Sequence, residues 1–373
     1  MITISRRPAA LAGVALCLVL AACGSGSATA SSAGPTPNQA PVSSGAVSTY
    51  RVTPAEGTTA FPLVVENCGQ TLRFDKPPSK VLILNGTSVA EVESFIVLGL
   101  QNRIAANAQS YGIYDDPSMA PAVKAIPTGG LTTNSNFDVP REQVLALKPD
   151  LVVSTWSGGF DAKSGFATRE ELTRAGIASW VTPANCAYGK ADATEAEKKA
   201  YADQSIESSF EILTELGKIF DVPAKATQVV SGLRARLAAV RAKVAGKPTK
   251  NVVIAYPGMS MMNAAGIPAV MANGITNDVI ASAGGVNPFA AGGQEAANKL
   301  SREQFAATKV DFLAVGLFTA DEKPDVEATK IFTAFPQWPA SSAKAYTFVA
   351  DGAYLGPTNV FAVEKIAAAV HPE

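Results

Sequence analysis

The sequence predicts an α/β protein: two similar lobes with parallel-rich sheets, joined by one long interdomain helix. Three observations predict it. Short apolar runs alternate with amphipathic segments, the pattern of parallel strands linked by helical crossovers. A helix-break-strand segment occurs twice: Arg141-Glu142-Gln143 and Asp150 return as Arg302-Glu303-Gln304 and Asp311, since 302 − 141 and 311 − 150 both give 161. Between the two copies lies a helical stretch, Pro223 to Gly246, with apolar residues at Ala226, Val229, Val230, Leu233, Leu237, Val240 and Val244. Those spacings hold one stripe on one helix face, and about 22 residues at 1.5 Å each make a rod of roughly 33 Å. Pro223 suits a first turn, and Gly246 with Pro248 suits a stop.

The 373 residues suffice for about two domains. Lys+Arg number 31 against Asp+Glu 32, and a net charge of −1 argues against nucleic acid as the main partner. Residues 1–22 read as an export signal. Arg6 and Arg7 form its positive end, and the apolar run Ala9–Leu20 is too short to span a bilayer comfortably. It ends in Leu20-Ala21-Ala22-Cys23-Gly24, which resembles a bacterial lipobox; the resemblance implies cleavage before Cys23 and lipidation of its sulfur, with a plain secretory signal as the alternative. Residues 23–55, rich in Gly, Ser, Ala, Thr and Pro, form a tether without the bulky side chains a core needs.

The N-terminal lobe is expected over residues 56–222, the interdomain helix over 223–246 and the C-terminal lobe over 247–373. Two short strands flank Asn67-Cys68-Gly69, a turn signal. Val81–Leu84 is a continuous apolar run, as a parallel strand buried on both faces should be. A helix from about Val89 to Leu98 and a strand at Ile104–Asn107 follow. Then come the helix from Arg141, the Pro149-Asp150 break and the strand Leu151–Val153. Arg169–Ala175 reads as helix, Ala178–Val181 as strand, and 187–203 as a polar insertion before a helix over Ser205–Phe220. After the rod the pattern restarts with a strand at Lys250–Tyr256, a helix at about Asn277–Ala283, and the second helix-break-strand copy. Tyr346–Val349 and a helix from Asn359 to Val370 complete the chain.

With Cys17 in the signal and Cys23 lipidated, Cys68 and Cys186 remain for an oxidising compartment. A disulfide is the default, and closing a 118-residue loop (186 − 68) is worth roughly 4–5 kcal/mol on the chain-entropy model. The alternative, a metal-thiolate pair, lacks partner ligands, because the sole His is His371. The absence of any other His removes Ser-His and Cys-His nucleophile pairs, and no Walker loop or Gly-x-Gly-x-x-Gly follows a strand. A carboxylate-dependent exported hydrolase stays open, although no carboxylate pair is singled out.

Ligands of α/β sheets bind beyond the carboxyl ends of strands. Tyr111 and Tyr114 follow the second strand, Trp156 follows Leu151–Val153, Tyr256 ends the first strand of the second lobe with Met259 behind it, and Phe318 follows Leu313–Val315. Flat side chains with polar tips suit a large ring-bearing ligand, and packing beneath a loop is the competing explanation for each.

Several segments together resemble the bacterial substrate-binding lipoproteins of iron-siderophore, haem and cobalamin ABC importers. They are Pro77–Leu84, Glu93 ahead of Leu98–Ile104, Glu142–Val152 with its Leu-Lys-Pro-Asp-Leu core, and Ser301–Gln304. The resemblance covers roughly residues 60 to 370. It implies two Rossmann-like lobes with a ligand cleft between them, no catalysis and no intrinsic cofactor. It implies an iron(III) chelate as ligand, with a corrinoid, haem or another cofactor-like molecule as alternative. It also implies a monomer anchored by lipid on the outer face of the cell membrane, serving an ABC permease and its ATPase. One surface Glu on each lobe would dock on the permease, and motif position assigns Glu93 and Glu303. No basic cluster for a strongly anionic chelate is present; Lys163 is among the few cations in cleft-side loops.

Overall fold

A computed structural model describes residues 57–263 and 265–373. The signal segment, Cys23 and the tether lie outside the described residues.

Strands β1 (Leu63–Asn67) and β2 (Gln70–Phe74) pair antiparallel around Cys68-Gly69. Both turn residues have positive φ, 52° and 83°, as a two-residue turn matched to strand twist requires. Cys68 is joined to Cys186 in a disulfide.

The first lobe's sheet contains β3 (Val81–Ile83), β4 (Ile104–Asn107), β5 (Leu151–Ser154) and β6 (Ala178–Val181), in the order β4-β3-β5-β6 and all parallel. The second contains β7 (Lys250–Tyr256), β8 (Ala269–Val270), β9 (Gly285–Val286), β10 (Phe312–Gly316) and β11 (Tyr346–Val349). Its order is β11-β10-β7-β8, with β9 pairing the start of β7 and β8 antiparallel. The parallel run β3-β5-β6 therefore recurs as β7-β10-β11.

The internal repeat has one structural meaning in both copies. Asp150 donates its amide to Lys80 O and accepts from Lys80 N, each at 2.9 Å. Asp311 makes the same exchange with Asn251, at 2.9 Å both ways. A carboxylate after the Pro or Val break thus fixes where each lobe's second parallel strand begins. Ahead of these strands lie the helices Arg141–Leu147 and Arg302–Ala307.

Alternation along the strands divides the interior. Val81, Ile83, Leu151 and Val153 face a central cluster, as do Val252, Ile254, Phe312 and Ala314 from the second lobe. Their neighbours Leu82 and Val152 face an outer cluster of the first lobe, and Val253, Leu313 and Val315 face an outer cluster of the second. Strands buried on both faces produce the continuous apolar runs seen in the sequence.

The central cluster is filled by the helices Ala90–Val97, Ile206–Ile219, Pro223–Val244 and Asn359–Val370. The long helix buries Ala226, Val230, Leu233, Leu237 and Val240. Its arginines hold neighbouring helices: Arg236 pairs with Glu364 at 2.7 Å and covers the Phe361 ring at 3.9 Å, while Arg241 reaches Asp278 at 3.3 Å. The helix is therefore packed along its length.

Two segments differ from expectation. The helix expected from about Asn277 spans Gly274–Ser282, because the Asn273 side chain caps Thr276 N at 2.9 Å. The insertion 187–203 contains a helix, Glu195–Ala202, started by a Thr194–Glu197 capping box.

Candidate functional site between the lobes

The carboxyl ends of the two sheets meet at an aromatic pair. From the first lobe, Tyr111 places its hydroxyl 2.7 Å from Asn85 Oδ1 and against Gly86 O, both in the turn after β3. From the second, Phe318 follows β10, and its amide donates to Glu322 Oε2, which also accepts from Thr319 N at 2.7 Å. The two rings lie 4.7 Å apart, inclined by 39°. Around them a narrow pocket is lined by Thr87, Ser88, Val89 and Ile113 of the first lobe and Leu317, Ala350, Asp351 and Tyr354 of the second. The enclosed space there is about 10 Å³, far below the about 300–1,000 Å³ of small-molecule sites, so a large ligand requires the two rings to part.

Met259 joins this group, with Sδ 3.6 Å from the Tyr354 hydroxyl. Burial pushes the Tyr111 phenol up to about 12 and raises that of Tyr354 too; Tyr111, Tyr188 and Glu322 lie near enough to add to the rise at Tyr354. These phenols are hydrogen-bonding groups rather than anions at neutral pH.

Trp156 is half-buried in the turn after β5. Its ring meets Tyr188 at 4.8 Å, and Tyr188 stacks on Tyr201 at 5.7 Å. Glycine is required beneath the indole: a Cβ on Gly158 or Gly189 would stand 2.3 or 2.6 Å from ring atoms. Trp156 thus begins an aromatic ladder into the insertion that sequence reasoning took for polar filler.

Two expected ligand contacts prove to be core. Tyr256 is fully buried; its hydroxyl donates to Ala350 O at 2.8 Å, and its ring lies against Gly316. It shares the strand face of Val252 and Ile254, which points into the central cluster. Tyr114 is 9% exposed and packs in the same cluster. Tyr354, which sequence reasoning missed, lines the pocket in their place; the rule that found the others, an aromatic after a strand, applies to it after β11.

The docking assignment of Glu93 is also corrected. Glu303 is exposed on its helix, but Glu93 is 0% exposed and sits between the lobes. Its Oε2 lies 3.2 Å from Thr358 Oγ1, and Thr358 donates to Asp351 Oδ2. Asp351 Oδ1 accepts from Asp115 N at 2.7 Å. Asp115 in turn accepts from Ala350 N and Gly352 N at 2.7 and 2.8 Å and pairs with Lys365 at 2.6 Å. Burial, then the charge of Asp351, drives the Glu93 carboxyl well above its usual range. Glu93 is therefore a neutral acid that can donate toward Thr358. The adjacent Glu91 is also buried but saturated: it accepts from Gln109, Thr155 and Thr182, each at 2.8 Å. Neither is poised as a nucleophile or as a solvent-facing base.

Two lobes of repeated topology, packed on common helices and meeting at the carboxyl ends of their sheets, define a two-lobed solute-binding protein. The sequence model described as periplasmic binding protein matches residues 87–330, and the chain belongs to that family. No curated protein matches the chain. Among solved structures, an ABC-type Fe3+-hydroxamate transport system from Saccharomonospora viridis is similar at 23% identity and TM-score 0.61, over 84% of this chain and 100% of that one. A periplasmic binding protein from Veillonella parvula aligns at 19% identity and TM-score 0.64, over 83% and 98%. The periplasmic haem-binding protein HutB of Vibrio cholerae aligns at 14% and 0.55, over 79% and 99%. At these identities the likeness is one of fold.

Proposed function

We propose that the protein is an extracytoplasmic receptor, held to the membrane by lipid on Cys23, that binds an iron(III)-siderophore-type complex and presents it to an ABC permease and its ATPase. One observation carries the choice of ligand. The pocket between the lobes is lined by aromatic, apolar and hydroxyl side chains and by Asp351, with no Lys, Arg or His among them. A polyanionic chelate would meet a carboxylate and no countercharge there; a neutral or cationic chelate would meet ring faces and hydroxyls. The similar Saccharomonospora protein, from an Fe3+-hydroxamate transport system, agrees with that choice. Among the described residues no group of three His, Cys, Asp or Glu could hold a metal ion, which favours a chelated metal over a bare one.

Haem is the second reading, favoured by the Met259–Tyr354 pair, since Met and Tyr both ligate haem iron. It is weaker, because the described residues that line the pocket with Tyr354 include no Lys, Arg or His to help form the phenolate. A corrinoid remains the other alternative.

For docking, the residue that corresponds to Glu303 by repeat position is Glu142 (303 − 161), which is exposed at the start of its helix. Glu142 and Glu303 thus replace the original pair and set one acid on each lobe.

Fluorescence titration of the 51–373 fragment with ferric trihydroxamates, ferric catecholates, haemin and cobalamin tests the receptor. Saturable quenching by the trihydroxamate is expected; saturation by the catecholate alone would reverse the charge argument.

A further inference from the structure

Phe137 is 77% exposed and has φ of 63°. A bulky side chain in the left-handed region is strained, and one in water gains nothing from packing in return. The surrounding loop nevertheless enforces this conformation. Phe137 N donates to Asn134 O at 3.0 Å, and Asn134 N donates to Asp138 O at 2.9 Å. The Asn134 and Asn136 side-chain amides both donate to Ser164 O at 3.0 Å. Asp138 Oδ1 takes the amides of Asn85 and Val139, at 2.9 and 2.7 Å, while the Asn85 side-chain amide donates to Phe137 O. Strain held this firmly is a sign of use rather than accident.

The place is informative. Asn85 grips the Phe137 carbonyl with one end of its side chain and receives the Tyr111 hydroxyl at the other. Tyr111 in turn touches Phe318 across the cleft. Phe137 therefore stands on the first lobe's rim, one residue removed from the pocket wall. On the second lobe, the turn after β7 that brings Met259 to Tyr354 continues into Met261 and Met262, 88% and 43% exposed. The methionines follow the carboxyl end of central strand β7, and Phe137, in the connection from β4 to β5, is held by Asn85 against the turn that follows central strand β3.

We propose that Phe137 is a ligand contact, with Met261 and Met262 as its counterparts on the other lobe, covering the apolar outer face of the bound chelate. The inference rests on the receptor reading and adds to it that the ligand carries hydrocarbon on the side turned away from the pocket floor. An aromatic rim and a thioether rim grip such a face without demanding one shape.

The experiment uses ferric desferrioxamine, a linear trihydroxamate, with F137G, M261S and V64S in the full mature protein. Val64 is 54% exposed on β1 and serves as the control for lost surface hydrophobicity. Glycine relieves the positive φ, so F137G is expected to unfold at the same or a higher temperature while binding about tenfold more weakly. M261S should weaken binding in the same direction, and V64S should leave it unchanged. Wild-type binding that F137G retains in full overturns the inference alone. A fall in unfolding temperature in F137G also overturns it, by making Phe137 a structural residue. A wild type that fails to bind this probe and every other ferric chelate overturns the receptor reading and this inference together.

Discussion

Glu93 and Asp351, one from each lobe, converge on the single hydroxyl of Thr358. One hydroxyl proton cannot serve two carboxylates, so one must hold a proton of its own. Glu93 is that one: it is fully buried beside two other acids, and its Oε1 has no partner. The lobes are thus tied by a neutral acid, a hydroxyl and a carboxylate in series, with Lys365 offsetting Asp115 at the far end.

This junction should weaken as pH rises. The Glu93 and Asp351 carboxyls are both raised, so the folded chain holds protons that the unfolded chain releases. Their contribution is complete below the ordinary carboxylate range and is lost as pH climbs through the raised values. Buried Asp138, pushed up to about 7, adds a slope of the same sign. Glu93→Gln keeps a neutral donor, so its stability relative to wild type should grow from acid toward alkaline pH in denaturant titrations. A gap that stays flat up to pH 10 would show that Glu93 is not protonated in the fold.

The Tyr111–Phe318 pair should govern ligand affinity. Phe318→Ala removes one ring of the pair and one wall of the pocket, and should weaken binding of a ferric trihydroxamate by about tenfold, or about 1.4 kcal/mol. Tyr111→Phe keeps the ring and loses the link to Asn85, so the loss should be smaller. Equal losses would mean that the hydroxyl, not the ring face, meets the ligand.

Gly316→Ala tests the packing behind the pocket. The added Cβ would stand 2.3 Å from the Tyr256 ring, which is fully buried and tied by its hydroxyl to Ala350 O. Overpacking of this kind costs about 1–3 kcal/mol, read as a lower denaturant midpoint. An unchanged midpoint would place Tyr256 in looser surroundings than those described.

Replacing Glu142 and Glu303 together by Ala should leave chelate affinity within twofold, since both are exposed at helix starts, and abolish transport in cells carrying the cognate permease. Transport at the wild-type rate would remove both from the docking surface.

The strands were legible because a parallel strand buried on both faces is a continuous apolar run, and Val81–Leu84 and Val252–Ala255 read that way. The repeat was legible because Asp150 and Asp311 do one job twice. Glu93 was misread because its helix resembles a surface helix until its partners are known, and Thr358 lies 265 positions away. Tyr256 was misread for another reason. The strand-end rule says which end of the sheet meets ligand, whereas the two-residue period decides which face a side chain takes, and Tyr256 follows Ile254 inward.

The disulfide has a consequence for the order of assembly. Cys68 and Cys186 both precede the long helix, and the strands they anchor, β1, β2 and β6, belong to the first lobe. A chain that emerges N-terminus first can therefore complete its covalent closure before any strand of the second lobe has appeared. The later half then folds against a partner that is already locked in its ring and no longer free to unravel.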